Sequence, residues 1–234
     1  MRILIGTSGF SYKQWKGSFY PEDLPDSQML RYYAERLPAV EINNTFYRMP
    51  TKTLLGKWAA EVPESFTFVL KASQRITHRK RLREAGEDVA YFFETAATLG
   101  GRLGPALFQL PPYLRKDLPR LRDFLALLPA GRRAAFEFRH ESWFDDEIYQ
   151  ALRDGGASLC VSDTDEEGRP APLVLTAGWG YLRLRRPDYG EAELGAWAER
   201  IQAQPWSDAF VFFKHEEAGK GAALAARLLE RLRP

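Results

Sequence analysis

Eight short apolar runs, set apart by amphipathic segments, constrain this chain more than any other feature. They are Ile3 to Gly6, Ala39 to Ile42, Phe66 to Lys71, Ala106 to Leu110, Ala134 to Arg139, Ser158 to Val161, Tyr181 to Leu184 and Phe210 to Phe213. Each has the length of a strand rather than a helix. Between them apolar residues recur at helical spacing: Met29, Leu30, Tyr33 and Leu37; Leu54, Leu55 and Trp58; Val89, Phe92, Phe93, Ala96 and Leu99; Leu118, Leu121, Phe124, Leu125 and Leu128. The pattern continues with Ile148, Tyr149 and Leu152, with Leu194, Trp197, Ala198 and Ile201, and with Leu224, Ala225, Leu228, Leu229 and Leu232. Only the sixth helix is missing, because Gly168, Pro170 and Pro172 break any helix between Thr164 and Gly178. Asp26-Ser27 is placed to cap the first helix, Pro38 follows it, and Pro63 and Pro129 close the second and fourth.

Strand and helix alternating in this number predict an α/β fold, a (β/α)8 TIM-like barrel with its sixth helix replaced by a loop. The length of 234 residues agrees with the roughly 250 typical of such barrels. Without a linker or low-complexity run, the chain is expected to form one domain over residues 1–234.

Composition narrows the class. Hydrophobic content of 45% with 27% charged residues is that of an ordinary folded protein, and a net charge of +2 gives no reason to expect nucleic acid. A single cysteine, Cys160, excludes an intrachain disulfide and a Cys-based zinc cluster, and suits a reducing cytoplasm. No apolar run is long enough for a signal peptide or a membrane span, so a cytoplasmic location and no membrane partner are expected.

The fifth run carries the clearest chemistry. In Ala134-Ala135-Phe136-Glu137-Phe138-Arg139, aromatics hold one parity and charge the other. If the apolar positions face the helices, the inward residues form layers at the strand ends. The top layer is then Thr7, Asn43, Lys71, Gln109, Arg139, Asp163, Arg185 and Lys214. Beneath it lie Glu41, Val69, Leu107, Glu137, Val161, Arg183 and Phe212. Polar groups thus gather at the C-terminal mouth, where barrel enzymes place their sites, with Lys71, Arg139, Arg183, Arg185 and Lys214 outnumbering Glu41, Glu137 and Asp163.

Two accounts fit this cluster. In the first, the cations bind a phosphate or carboxylate while Glu137, Glu41 or Asp163 moves a proton. In the second, the acids only neutralise the arginines and fix strand register. Glu41 and Glu137 also raise a glycosidase reading, a weak signal shared by any barrel with two such carboxylates. His78, His140 and His215 fall in loops without metal-ligand spacing, so no metal and no cofactor are expected. The aromatic residues Phe10, Tyr12, Trp15, Phe19 and Tyr20 are read either as a stacking wall at the mouth or as packing for a long loop. The basic stretch from Ile76 to Arg83 is read either as a track for a phosphate backbone or, preferred, as a solvated charged loop.

Several segments together resemble the YecE-like family, filed as domain of unknown function 72. They are Gly6-Thr7-Ser8-Gly9-Phe10 with Tyr12, Trp15, Gly17 and Phe19-Tyr20-Pro21, then Glu41-Ile42-Asn43-Asn44-Thr45-Phe46-Tyr47, Lys71 and Ile76-Thr77-His78. Gln109-Leu110-Pro111-Pro112, Glu137-Phe138-Arg139-His140 with Trp143, and Asp163 complete the match. The resemblance implies a TIM-barrel-like fold and no established activity. The last third departs from the family pattern: Arg183-Leu184-Arg185-Arg186 stands where Arg-Leu-His-Gly is usual, and Lys214-His215-Glu216 where an Asn-rich turn is usual.

The reading carried forward is a cofactor-independent hydrolase or lyase acting on a small anionic or phosphorylated substrate. Its catalytic candidates are Glu137, Glu41 and Asp163; its substrate-binding candidates are Thr7, Asn43, Lys71, His78, Gln109, Arg139, Trp143, Arg183, Arg185 and Lys214. A non-catalytic nucleic-acid-binding or regulatory barrel is the less favoured alternative. Composition carries no information on oligomeric state.

Overall fold

A computed structural model of the chain describes residues 1–163, 171–215 and 217–233. Its strands are β1 (Arg2–Ser8), β2 (Ala39–Ile42), β3 (Thr67–Lys71), β4 (Leu103–Gln109), β5 (Ala134–Glu137), β6 (Ser158–Asp163), β7 (Trp179–Leu184) and β8 (Asp208–Phe213). Every neighbouring pair is parallel, and β8 returns to β1, so the sheet closes in sequence order. The helices among the described residues are α1 (Met29–Ala34), α2 (Lys52–Glu61), α3 (Gly86–Ala96), α4 (Leu118–Leu125), α5 (Asp146–Asp154), α6 (Glu191–Gln202) and α7 (Lys220–Leu232). The expected (β/α)8 barrel is the observed fold. Between β6 and β7, residues 171–178 carry no helix; the rest of the expected loop, Thr164 to Pro170, lies outside the described residues. No helix among the described residues is long and apolar enough to cross a membrane.

Strands buried on both faces separate two apolar layers. Ile5, Val40, Phe68, Phe108, Phe136 and Val211 point out under the helices, and each such side chain contributes about 1.5–3 kcal/mol by leaving water. Leu4, Ala39, Val69, Leu107, Ala135, Cys160, Tyr181 and Phe210 fill the inside. Polar caps start the helices: Leu54 N donates to Thr51 Oγ1 (3.2 Å), Arg120 N to Asp117 Oδ1 (3.1 Å) and Glu147 N to Asp145 Oδ1 (3.0 Å). The cap expected at Asp26 does not form. Residues Asp26–Gln28 make a separate tight turn before α1, and the Asp26 carboxylate pairs with Lys16 (3.0 Å) and Lys13 (3.4 Å) instead.

Two strands run in the opposite phase to the expected layers. On β1, Leu4 joins the inner cluster and Ile5 the outer one, so Thr7 faces out and Ser8 faces in. On β6, Cys160 is inside and Val161 outside, which turns Asp163 out as well. Ile3-Leu4-Ile5 and Leu159-Cys160-Val161 are apolar at every position, because a parallel barrel strand is buried on both faces. Alternation then has no contrast from which to read the phase.

Candidate functional site

Beneath the C-terminal mouth an ion network spans the barrel. Arg183, on β7, is 2% exposed and reaches Glu41 on β2 and Glu137 on β5. Its Nη2 and Nε donate to Glu41 Oε1 (2.8 and 3.2 Å), and its Nη1 donates to Glu137 Oε2 (2.5 Å). Glu41 also accepts from Ser8 Oγ at Oε1 and from Tyr181 OH at Oε2, both at 2.6 Å. Glu137 Oε1 accepts from Gln109 Nε2 (2.7 Å) and Arg139 Nε (3.1 Å), with Arg185 Nη1 at 3.7 Å. Asn43 Oδ1 lies 3.4 Å from Arg183 Nη2.

The electrostatics follow from these contacts. Burial alone would raise both carboxyl groups, but Arg183 and the hydrogen bonds outweigh it at Glu41, and Arg183, Arg139 and Arg185 outweigh it at Glu137. Both sit below the ordinary carboxylate range, so both are ionised at neutral pH. The Arg183 guanidinium fills the space between them, where a glycosidase would need its scissile bond.

Lys71 ends β3 on the same side. Its Nζ donates to Gln109 Oε1 (2.7 Å) and lies 4.4 Å from the centre of the Phe46 ring. Burial first, then the Arg183 charge, pulls its pKa down to about 8 against the opposing pull of Glu137 and Glu41. His78 packs edge-on against the same Phe46 ring (4.8 Å) with Nδ1 at 2.9 Å from Thr77 Oγ1. Burial and the charges of Lys71 and Arg139 lower its pKa, so it is neutral at pH 7.

Asn43, Lys71, Gln109, Arg139, Arg183, Arg185, Glu41 and Glu137 therefore belong to one constellation, with His78 at its edge. Thr7 does not join it: its N donates to Tyr33 OH (2.8 Å) and its Oγ1 meets the same hydroxyl (2.9 Å), on the α1 side of β1. Asp163 accepts from Arg185 N (2.8 Å) and Tyr189 OH (2.6 Å), ordering the segment after β7 rather than meeting Glu41 and Glu137. Trp143 is wholly buried, stacks on the outward Phe138 (4.7 Å) and donates Nε1 to Leu114 O (2.6 Å), so it packs the outer layer. Lys214 is exposed and shares a cavity of about 800 Å³ with Arg185, His215 and Lys220 at the ends of β7 and β8. Glu216 lies outside the described residues.

Ser8 and Tyr181 are members that sequence reasoning does not single out, whereas Phe46, in the segment after β2 read like the aromatic loop as stacking wall or packing, lies against Lys71 and His78. Tyr181 shares the parity of Arg183 and was legible from it. Ser8 was hidden by the phase of β1. Trp15 and Tyr20 are buried loop packing, whereas Phe10 and Tyr12 line a cavity of about 410 Å³ with Asn43 and Trp58 at the ends of β1 and β2. The basic loop is partly neutralised: Arg75 and Lys80 pair with Asp88 (2.7 and 2.8 Å). His140 Nδ1 accepts from Ser142 N (3.1 Å), and among the described residues no three His, Cys, Asp or Glu side chains converge as metal ligands.

A closed parallel barrel carrying an ion network under its C-terminal mouth places this chain in the TIM-barrel class. The family model described as "Protein of unknown function DUF72" matches residues 4–234, and the chain belongs to that family. It is similar to the UPF0759 protein YunF of Bacillus subtilis (strain 168), with 26% identity over 269 residues covering 98% of this chain and 94% of that protein. The crystal structure of a DUF72 family protein from Thermotoga maritima covers 99% of each chain at a TM-score of 0.89 and 28% identity. A DUF72 family protein from Enterococcus faecalis shares the fold at a TM-score of 0.81 and 21% identity, over 98% of this chain and 95% of that one.

Proposed function

We propose that this protein is a cofactor-independent enzyme, a hydrolase or lyase, that binds a small anionic substrate at the C-terminal mouth of its barrel. The supporting observation is the charge balance of the network: Arg183, Arg139 and Lys71 stand against Glu41 and Glu137, three cations to two carboxylates among the described residues, with Arg185 at its edge beside Asp163. Arg183 is held between the two acids, so the surplus lies toward the mouth, on the half-buried Arg139 and on Lys71. Such an array stabilises an anion through groups already fixed in place, at little further cost of reorganisation. Glu41 and Glu137 serve in this reading as charge anchors, because carboxylates held ionised by guanidinium groups are poor proton carriers near pH 7. A lone buried thiol, Cys160, suits a cytoplasmic enzyme.

The test is a thermal-shift titration with phosphate and with sulfate. Stabilisation should follow RT ln(1 + [L]/Kd), about 1.4 kcal/mol at ten times Kd. Arg139→Ala should lose most of it. Equal shifts in wild type and Arg139→Ala, or none in wild type, would remove the anion from the mouth.

A further inference from the structure

We propose that the Lys71 side-chain amine is a nucleophile that forms an imine with the carbonyl carbon of a small oxo acid, whose carboxylate is held by Arg139 at the barrel mouth. The inference rests on the anion-binding reading and deepens it, naming the substrate as a carbonyl compound that carries an anionic group.

Placement is the first argument. Lys71 stands at the C-terminal end of β3 and is 9% exposed, reachable from the mouth yet largely dry. The second is what faces its nitrogen. Among the described residues no carboxylate lies within ion-pairing distance of Lys71 Nζ; the Gln109 amide stands between it and Glu137, accepting from Lys71 at 2.7 Å and donating to Glu137 at 2.7 Å. A carboxylate at that position would hold the ammonium charged, whereas a neutral amide orients it without doing so. With a pKa of about 8, roughly a tenth of Lys71 is the free amine at pH 7, several hundred times the fraction of an ordinary lysine. Burial beside other cations is how enzymes prepare a lysine for attack on a carbonyl.

The step balances without a co-reactant. The nitrogen lone pair of the neutral amine attacks the carbonyl carbon, and the C=O pair moves to oxygen, which takes a proton. The nitrogen gives up one proton to complete the carbinolamine, the hydroxyl leaves as water with a second proton as the C=N bond forms, and the nitrogen then gives up its other proton. Amine plus carbonyl becomes imine plus water. His78, neutral near pH 7 and packed on the same Phe46 ring, is the titratable group beside this chemistry. An imine among cations withdraws electrons from the adjacent carbon, which selects the lyase branch of the proposed function.

The experiment traps the imine. The whole protein is incubated with glyoxylate, pyruvate or 2-oxoglutarate and sodium cyanoborohydride, and the adduct is mapped by peptide mass spectrometry. One adduct per chain is expected, on Lys71, in more than about tenfold excess over the exposed Lys57. Lys71→Arg should abolish it, and Gln109→Glu should move its pH midpoint up by about one unit or more. Competitive acetylation of wild type reads the same property without a variant or an oxo acid, and Lys71 should label ahead of Lys57 at pH 7. Adducts spread evenly over the lysines, or Lys71 no more reactive than Lys57, would overturn the imine. If phosphate still stabilises the protein through Arg139 while no oxo acid is trapped, the imine fails and the anion site stands. Should phosphate fail too, both fall.

Discussion

Arg183 Nη1 donates to Glu137 Oε2 at 2.5 Å across the barrel from β7 to β5, and neither side chain is more than 2% exposed. Glu137→Gln keeps the shape of the side chain and strips the charge that Arg183, Arg139 and Arg185 share. A buried pair broken on one side costs about 3–5 kcal/mol. Urea unfolding should show that loss. A neutral or stabilising effect would mean that Glu137 is strained for chemistry and would return proton transfer to it.

Lys71 gives the pH dependence. Its folded pKa of about 8 lies below the ordinary 10.5, so between those values the unfolded chain binds more protons and stability rises with pH. The penalty is complete below pH 8 and relieved by about pH 10.5. The groups that face it are Glu41 on β2, Gln109 on β4, Glu137 and Arg139 from β5, Arg183 on β7, and His78. Lys71→Met is expected to be more stable than wild type at pH 7, with the gap narrowing toward pH 10. Paired unfolding curves check this, and a gap that ignores pH would contradict it.

Tyr33 closes the seam between β1 and β2. Its hydroxyl accepts from Thr7 N (2.8 Å) and donates to Ala39 O (2.9 Å), in a place where a Cβ on Gly6 would come within 1.8 Å of the same Ala39 oxygen. Tyr33→Phe orphans two buried backbone groups and should cost about 1–3 kcal/mol. Chemical denaturation is the measurement, and a loss below about 0.5 kcal/mol would mean the seam does not depend on it.

The basic loop should be a bystander. Arg79→Ala with Arg81→Ala is expected to leave the phosphate shift unchanged, since both side chains are exposed to solvent. A labelled single-stranded oligonucleotide should bind wild type weakly, with a log–log salt slope shallower than about −2. A steep slope that flattens in the double variant would revive the nucleic-acid reading.

Sequence alone determined the barrel and the chemistry of its fifth strand. Eight apolar runs interleaved with helical patterns leave few other folds, and on β5 the contrast of Phe136 and Phe138 against Glu137 and Arg139 sets the phase without ambiguity. Where a strand is apolar on both faces, as at Ile3-Leu4-Ile5 and Leu159-Cys160-Val161, that contrast disappears, and Thr7 and Asp163 turn out of the site while Ser8 and Cys160 turn in. Only the closed barrel decided who meets whom. Arg183 lies 142 positions from Glu41 and 46 from Glu137 along the chain, and strand tilt and closure, which no local pattern encodes, carry its guanidinium to both. On neighbouring strands Gln109 stands between Lys71 and Glu137, while burial and the charge that Arg183 brings across the barrel pull the Lys71 pKa down to about 8.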